Sequence, residues 1–126
     1  MIRTILALTA ATAVLLGGAA PAAGAVRPGT DLTLAYMAEA GYATAVTLRC
    51  DPPGGGHPKP SAACRTLRAV GGRPARLKPG RTMCAMIYAP ITAQITGRWR
   101  GRTVDWSQTY GNSCEMTRAT GVLFRF

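Results

Sequence analysis

Beyond residue 30, most apolar positions alternate with polar ones at a period of two. Leu32, Leu34 and Tyr36 alternate with Thr33 and Ala35, and Val46, Leu48 and Cys50 alternate with Thr47 and Arg49. A period of two puts one set of side chains on a buried face and the other on a solvated face, as in a half-buried strand. The same pattern predicts strands through Ile91, Ala93 and Ile95, and through Val104, Trp106 and Tyr110, with Gln108 on their face. Arg100-Gly101 between these two runs reads as a tight hairpin turn, with glycine supplying a positive φ. Val122, Phe124 and Phe126 alternate with Leu123 and Arg125 and predict a fifth strand at the end of the sequence.

Helical spacing is rarer. Ala63, Leu67 and Val70 fall on one side of a helix that Ser61 could cap and that Gly71-Gly72 would end. A second, shorter helix is predicted over residues 112–117. Asp51 to Pro60 holds four prolines and three glycines and is predicted to be a loop. The fold class expected is α+β: a five-stranded antiparallel sheet with one or two short helices on one face.

The first 25 residues read as a signal peptide. Arg3 supplies a positive charge, Ile5 to Leu16 is uncharged and apolar, and Ala23-Gly24-Ala25 has the small-x-small pattern of a cleavage site, with Ala20-Pro21-Ala22 as a second. The apolar run is shorter than the roughly 20 residues that span a bilayer. A secreted, extracellular protein of one domain, residues 26–126, is therefore expected, with no membrane partner. Its 101 residues suit one core better than two.

Charge and cysteine content sharpen this reading. The sequence carries 15 Lys+Arg against 5 Asp+Glu. The basic residues are densest over residues 65–81 and at Arg98, Arg100 and Arg102, without the interleaved aromatics of a base-stacking platform. A nucleic-acid partner is therefore not expected, and a basic module for polyanions or the cell envelope is the second functional reading. Cys50, Cys64, Cys84 and Cys114 lack the C-x-x-C spacing of a zinc knuckle, so no metal is expected. In a small exported domain they predict two disulfides, with three pairings open. His57 is the one histidine and sits in the Gly/Pro loop, where it is expected to brace backbone rather than act as a base. With its acids scattered and its thiols oxidised, the chain is not expected to be an enzyme or to hold a cofactor.

One segment stands apart. Gly80 to Pro90 lies between a Pro-Gly turn and the strand at Ile91, and it gathers Met83, Met86 and Ile87 around Cys84. Composition leaves two readings for it, a core cluster or an exposed loop that offers an apolar side chain to another protein.

Three motifs decide between them. They are Cys50-x-Pro52 with Gly55-x-His57-Pro58 and Ala63-Cys64-x-x-Leu67; Met83-Cys84-Ala85-Met86-Ile87-Tyr88-Ala89-Pro90; and Asn112-x-Cys114-Glu115-Met116 with a Val-x-Phe-x-Phe ending. From about Ala45 onward the chain resembles the Streptomyces subtilisin inhibitor family, and more weakly over residues 26–44. The resemblance implies the five-stranded sheet with two short helices, a homodimer formed through the sheet, and disulfides Cys50–Cys64 and Cys84–Cys114. It implies inhibition of extracellular serine proteases, subtilisin-like ones first and chymotrypsin-like ones second. The reactive bond would be Met86–Ile87, with Met86 at P1, Ala85 at P2, Cys84 at P3, Met83 at P4, Ile87 at P1′ and Tyr88 at P2′. Asn112 and Pro90 would support the loop. The sequence departs from the family pattern at Ala85, where proline is frequent, at Ala89, where an acid is common, and at Arg65. The segment between Cys50 and Cys64 is also one residue short.

Overall fold

The computed structural model describes residues 29–126 together with Gly17 and Gly18. The signal segment and its cleavage site, apart from those two glycines, lie outside the described residues. Four strands form one antiparallel sheet: β1 (Thr30–Ala38), β2 (Ala43–Cys50), β3 (Ile91–Trp99) and β4 (Arg102–Tyr110). Their order is β2-β1-β3-β4, so β1 lies between β2 and β3, the two strands that flank the long central excursion. Arg100 and Gly101, with φ of 46° and 82°, make the two-residue turn between β3 and β4. Two positive φ values match the right-handed twist of the strands they join.

The sheet is one-sided, as the alternation requires. Leu32 and Leu34 of β1, Leu48 of β2, Ala93 and Ile95 of β3 and Val104 of β4 point into one core. Thr33, Thr47, Gln94, Thr96, Asp105 and Ser107 face solvent. Two helices cover the buried face. α1 (Pro60–Ala69) contributes Ala63, Cys64 and Leu67, and α2 (Ser113–Thr120) contributes Met116. The Cys50–Cys64 disulfide joins the end of β2 to α1. In the chain-entropy model a cross-link over a loop of that size is worth about 3 kcal/mol.

Two expectations are corrected. Residues 121–124 form a short 3-10 turn, η2 (Gly121–Phe124), and not a fifth strand. Leu123 and Phe124 are adjacent and both buried, which strand geometry forbids on a one-sided sheet. The apparent alternation arises because a tight turn can bury neighbouring residues beneath the sheet. Ser61 does not cap α1: Lys59 holds the cap position with no side-chain bond, and Pro60 opens the helix. Proline at the first helical position has no N–H to leave unsatisfied and a φ already suited to the helix.

His57 braces, as its loop position suggested. It is buried, its Nδ1 accepts the Lys59 N–H (2.9 Å), and its Nε2 lies 3.0 Å from the Leu123 carbonyl. The first bond makes Nδ1 the acceptor, so Nε2–H donates to Leu123. One ring thereby ties the Gly/Pro loop to η2. At the other end of α1, Gly71 and Gly72 return N–H groups to the Arg68 and Leu67 carbonyls. Both glycines have positive φ, and a Cβ on Gly72 would overlap the Trp99 ring. Gly72→Ala should therefore destabilise the fold by about 2 kcal/mol or more through left-handed strain and steric overlap. Thermal denaturation followed by circular dichroism measures the loss; a melting temperature equal to that of the parent would contradict the packing at Trp99.

A braced, solvent-exposed loop as the candidate functional site

Between Leu77 and Ile91 the chain runs without helix or strand and enters the sheet at the Ile91 end of β3. Such a stretch of backbone needs partners for its polar groups, and almost all of them come from α2 and the turn before it. Gly80 N–H donates to the Arg118 carbonyl (2.8 Å) at the start of the loop, and Ala89 N–H donates to the Gly111 carbonyl (2.7 Å) near its end. The Glu39 N–H of the β1–β2 turn reaches the Pro90 carbonyl (2.9 Å). Between these points the Cys84–Cys114 disulfide fixes the loop to the first turn of α2, with Cα atoms 5.8 Å apart.

Asn112 is the centre of this arrangement. It is 8% exposed and sits at the N-cap of α2. Its Oδ1 accepts the Glu115 N–H (2.9 Å), satisfying a helix donor that would otherwise lack a partner. Its Nδ2 donates to the Ile87 carbonyl (2.8 Å) and, at 3.3 Å, to the Ala85 carbonyl. One carboxamide thus holds the carbonyls on both sides of Met86. Ile87 N–H also donates to the Ala85 carbonyl (2.9 Å), closing a three-residue turn around Met86.

The side chains at this turn point away from the protein. Met86 is fully exposed, at 104% of its reference surface, and Met83 reaches 92%. Ile87 and Tyr88 are also exposed, Ala85 likewise, while Cys84 and Pro90 are half-buried. Large apolar groups held in water are costly unless a partner covers them, so such a patch marks an interaction site. Of the two readings of residues 80–90, the exposed loop is the one observed. Both disulfides have the sequential pairing.

Electrostatics around the loop are quiet. The carboxylate of Glu115 accepts from Nε and Nη2 of Arg118 at 3.1 and 2.6 Å, which steadies α2 beneath the loop. Tyr110, just before the Gly111–Asn112 turn, has its phenol pushed up from the ordinary value by burial, so it stays neutral at ambient pH. Among the described residues, no three His, Cys, Asp or Glu side chains gather as a metal site would require. The backbone anchors at Gly111, Arg118 and Glu39 have no counterpart in the sequence reading. Main-chain groups leave no residue-type signal.

Comparison with known proteins agrees with this geometry. Residues 29–112 match the family model described as subtilisin inhibitor-like. The chain is 45% identical over 99 residues to subtilisin inhibitor-like protein 1 of Streptomyces cacaoi, covering 75% of this chain and 89% of that protein. It is 42% identical over 113 residues to subtilisin inhibitor-like protein 4 of Streptomyces lavendulae, covering 86% and 97%. Among solved structures, it superposes on Streptomyces caespitosus sermetstatin, crystallised in complex with Bacillus licheniformis subtilisin. The TM-score is 0.67 at 28% identity, over 78% of this chain and 99% of that one.

The two functions of Asn112 can be separated. Asn112→Ala should lose the cap and both loop bonds and cost about 2 kcal/mol of stability. Asn112→Asp keeps an acceptor for Glu115 but opposes the Ala85 and Ile87 carbonyls, so it should retain most of the stability while freeing the loop. Hydrogen exchange at Ile87, read beside global unfolding, checks both outcomes.

Proposed function

Since the chain belongs to the subtilisin inhibitor-like family, we propose that it inhibits subtilisin-like proteases as a tethered substrate, with Met86–Ile87 as the reactive bond. It is an inhibitor and not an enzyme. The observation that carries this reading is a fully exposed Met86 at the tip of a loop braced on both sides. Methionine is long, unbranched and polarisable, so it can fill a deep apolar S1 pocket and adapt to its walls. Met83 serves S4, and the backbone around Cys84 and Ala85 offers an edge for strand addition in the enzyme's cleft. Little ordering is left to be done on docking, so more of the contact energy appears as affinity.

The same bracing accounts for inhibition without turnover. The protease's serine oxygen attacks the Met86 carbonyl carbon, the bond to the Ile87 nitrogen breaks, and the departing nitrogen takes up a proton to become an amine. In an ordinary substrate that amine diffuses away and water hydrolyses the ester. Here the Ile87 carbonyl is held by Asn112 and the Ala89 N–H by Gly111. Well-oriented intramolecular groups reach effective molarities of roughly 10⁵ M or more, so the amine re-forms the peptide bond before water acts. Cys84 and Asn112 hold the acyl side in register during that interval. Chymotrypsin-like enzymes with apolar S1 pockets form a second target class on the same reasoning.

Two further properties belong to this reading. The chain is exported, with the signal removed near Val26, which the cystine pairing favours. Two copies associate through the solvent face of the sheet, where Ala35, Met37, Ala43, Ala45 and Thr92 border a hollow of about 380 Å³ and Met37 is 62% exposed. Sedimentation velocity of the purified protein distinguishes dimer from monomer.

Titration against subtilisin tests the central claim, with stoichiometric loss of enzyme activity expected. Met86→Asp should weaken inhibition by orders of magnitude, because it would bury an unpaired charge in S1. Met86→Lys should gain affinity for trypsin. Inhibition that Met86→Asp leaves unchanged would remove Met86 from P1. A Cys84→Ser/Cys114→Ser double variant should be cut progressively by the enzyme it is meant to block, as followed by mass spectrometry.

A further inference from the structure

At the end of the sheet away from Met86, cations gather that the inhibitory site does not use. Arg76 and Lys78 border a hollow of about 490 Å³ beside Gly71, and Arg73, Arg76 and Arg102 border a neighbouring one of about 350 Å³ beside Gly72. A bland role for cations here would be to neutralise the carbonyl end of α1. Arg102 reaches the turn just past that end with one nitrogen, Nη2 donating to the Gly71 and Gly72 carbonyls at 2.8 and 3.1 Å, and keeps its other guanidinium nitrogens for a ligand. Arg73, Arg76 and Lys78 are exposed and form no ion pair among the described residues. The nearest acid on this face is Asp105, which borders the smaller hollow. Asp51, alongside, is already shared between Arg68 and Arg100 at 3.3 Å each. Four cations against one carboxylate leave a surplus of positive charge.

We infer that this face, with Arg73, Arg76, Lys78 and Arg102 as its cations, is a binding site for a linear polymer bearing a phosphate on each repeat, of the polyol-phosphate kind. Guanidinium groups match phosphate oxygens in a bidentate way, which suits three arginines and one lysine around open hollows. A nucleic acid would also present phosphates, but it would gain from base stacking, and the one ring bordering these hollows, Trp106, is half-buried and stands alone, short of a stacking platform. Trp99 is buried and Trp106 half-buried, while the exposed tyrosines, Tyr42 and Tyr88, lie at the other end. A ligand with charge and no bases therefore fits better.

Position gives the site its use. The β3–β4 turn and Gly71-Gly72 stand at one end of β3, because Trp99 packs on Gly72. The reactive loop joins the sheet at the other end, through Pro90 and Gly111. Nine strand residues separate them, which is about 26 Å at the usual rise. A chain held by its basic pole can keep Met86 free for a protease, so inhibition and tethering coexist.

The test is fluorescence anisotropy of labelled poly(glycerol phosphate) with the purified protein, over a salt series. Binding is expected with a log–log salt slope of about 3, as four phosphate contacts on a flexible chain require. Arg73→Gln/Arg76→Gln/Lys78→Gln should lose about tenfold or more in affinity at low salt. The charge-matched control Lys59→Gln/Arg65→Gln/Arg125→Gln should stay near the parent. Both triples should titrate subtilisin as the parent does, and polymer should not compete with the enzyme. Equal loss in the two triples, absence of binding, tighter binding of a single-stranded oligonucleotide with the same phosphate count, or competition with subtilisin would each overturn the inference. Because the polymer is scored on the protein alone, these outcomes stay separate from any failure of inhibition.

Discussion

The carboxamide of Asn112 is the interaction on which the rest of the site depends. Its oxygen starts α2 by accepting the Glu115 N–H, and its nitrogen holds the carbonyls of Ala85 and Ile87. The helix start and the loop are therefore both held by one side chain, through different atoms. Burial makes the coupling strong. At 8% exposure, Asn112 has little water to turn to, and a donor or acceptor left unmet there costs about 1–3 kcal/mol. The Cys84–Cys114 bond adds a covalent limit on how far the loop can depart, while the amide sets where it sits.

The remainder of the fold works to keep α2 still. Met116 and Thr120 are buried against the sheet, and the Arg118–Glu115 pair runs along the helix surface. Beyond α2, η2 carries Leu123 and Phe124 into the same core, and its Leu123 carbonyl is held by His57. Thus the Gly/Pro loop, far from the loop in sequence, reaches it by way of η2 and α2. An imidazole in the middle of a glycine-rich segment is used here for the directionality of its two nitrogens, one accepting and one donating.

Much of this was legible in the residues, and the limits have physical causes. Four strands followed directly from period two, because a one-sided antiparallel sheet imposes that pattern. The fifth did not exist: Val122, Phe124 and Phe126 alternate by coincidence in a segment that turns beneath the sheet. The α1 start was misplaced at Ser61, since proline at a first helical position can open a helix without a side-chain cap. Exposure of Met83 and of residues 85–88 could not be read from composition, as methionine and isoleucine are usual core residues; the motif resemblance supplied it. A supporting role for Asn112 was expected from the motif resemblance and not from its chemistry. The carbonyls of Gly111 and Arg118 were not, since a backbone group belongs to every residue alike.

The outward display of Met83, Ala85, Met86 and Tyr88 has a consequence for how such a chain changes over generations. All four side chains are exposed, and the loop's anchors are main-chain groups, one cystine and one asparagine. Folding therefore exerts almost no selection at these four positions, and under the proposed mechanism drift there is filtered by the adversary alone. Divergence should concentrate at the tip while its footings stay fixed, letting one scaffold follow a shifting set of enzymes without being rebuilt.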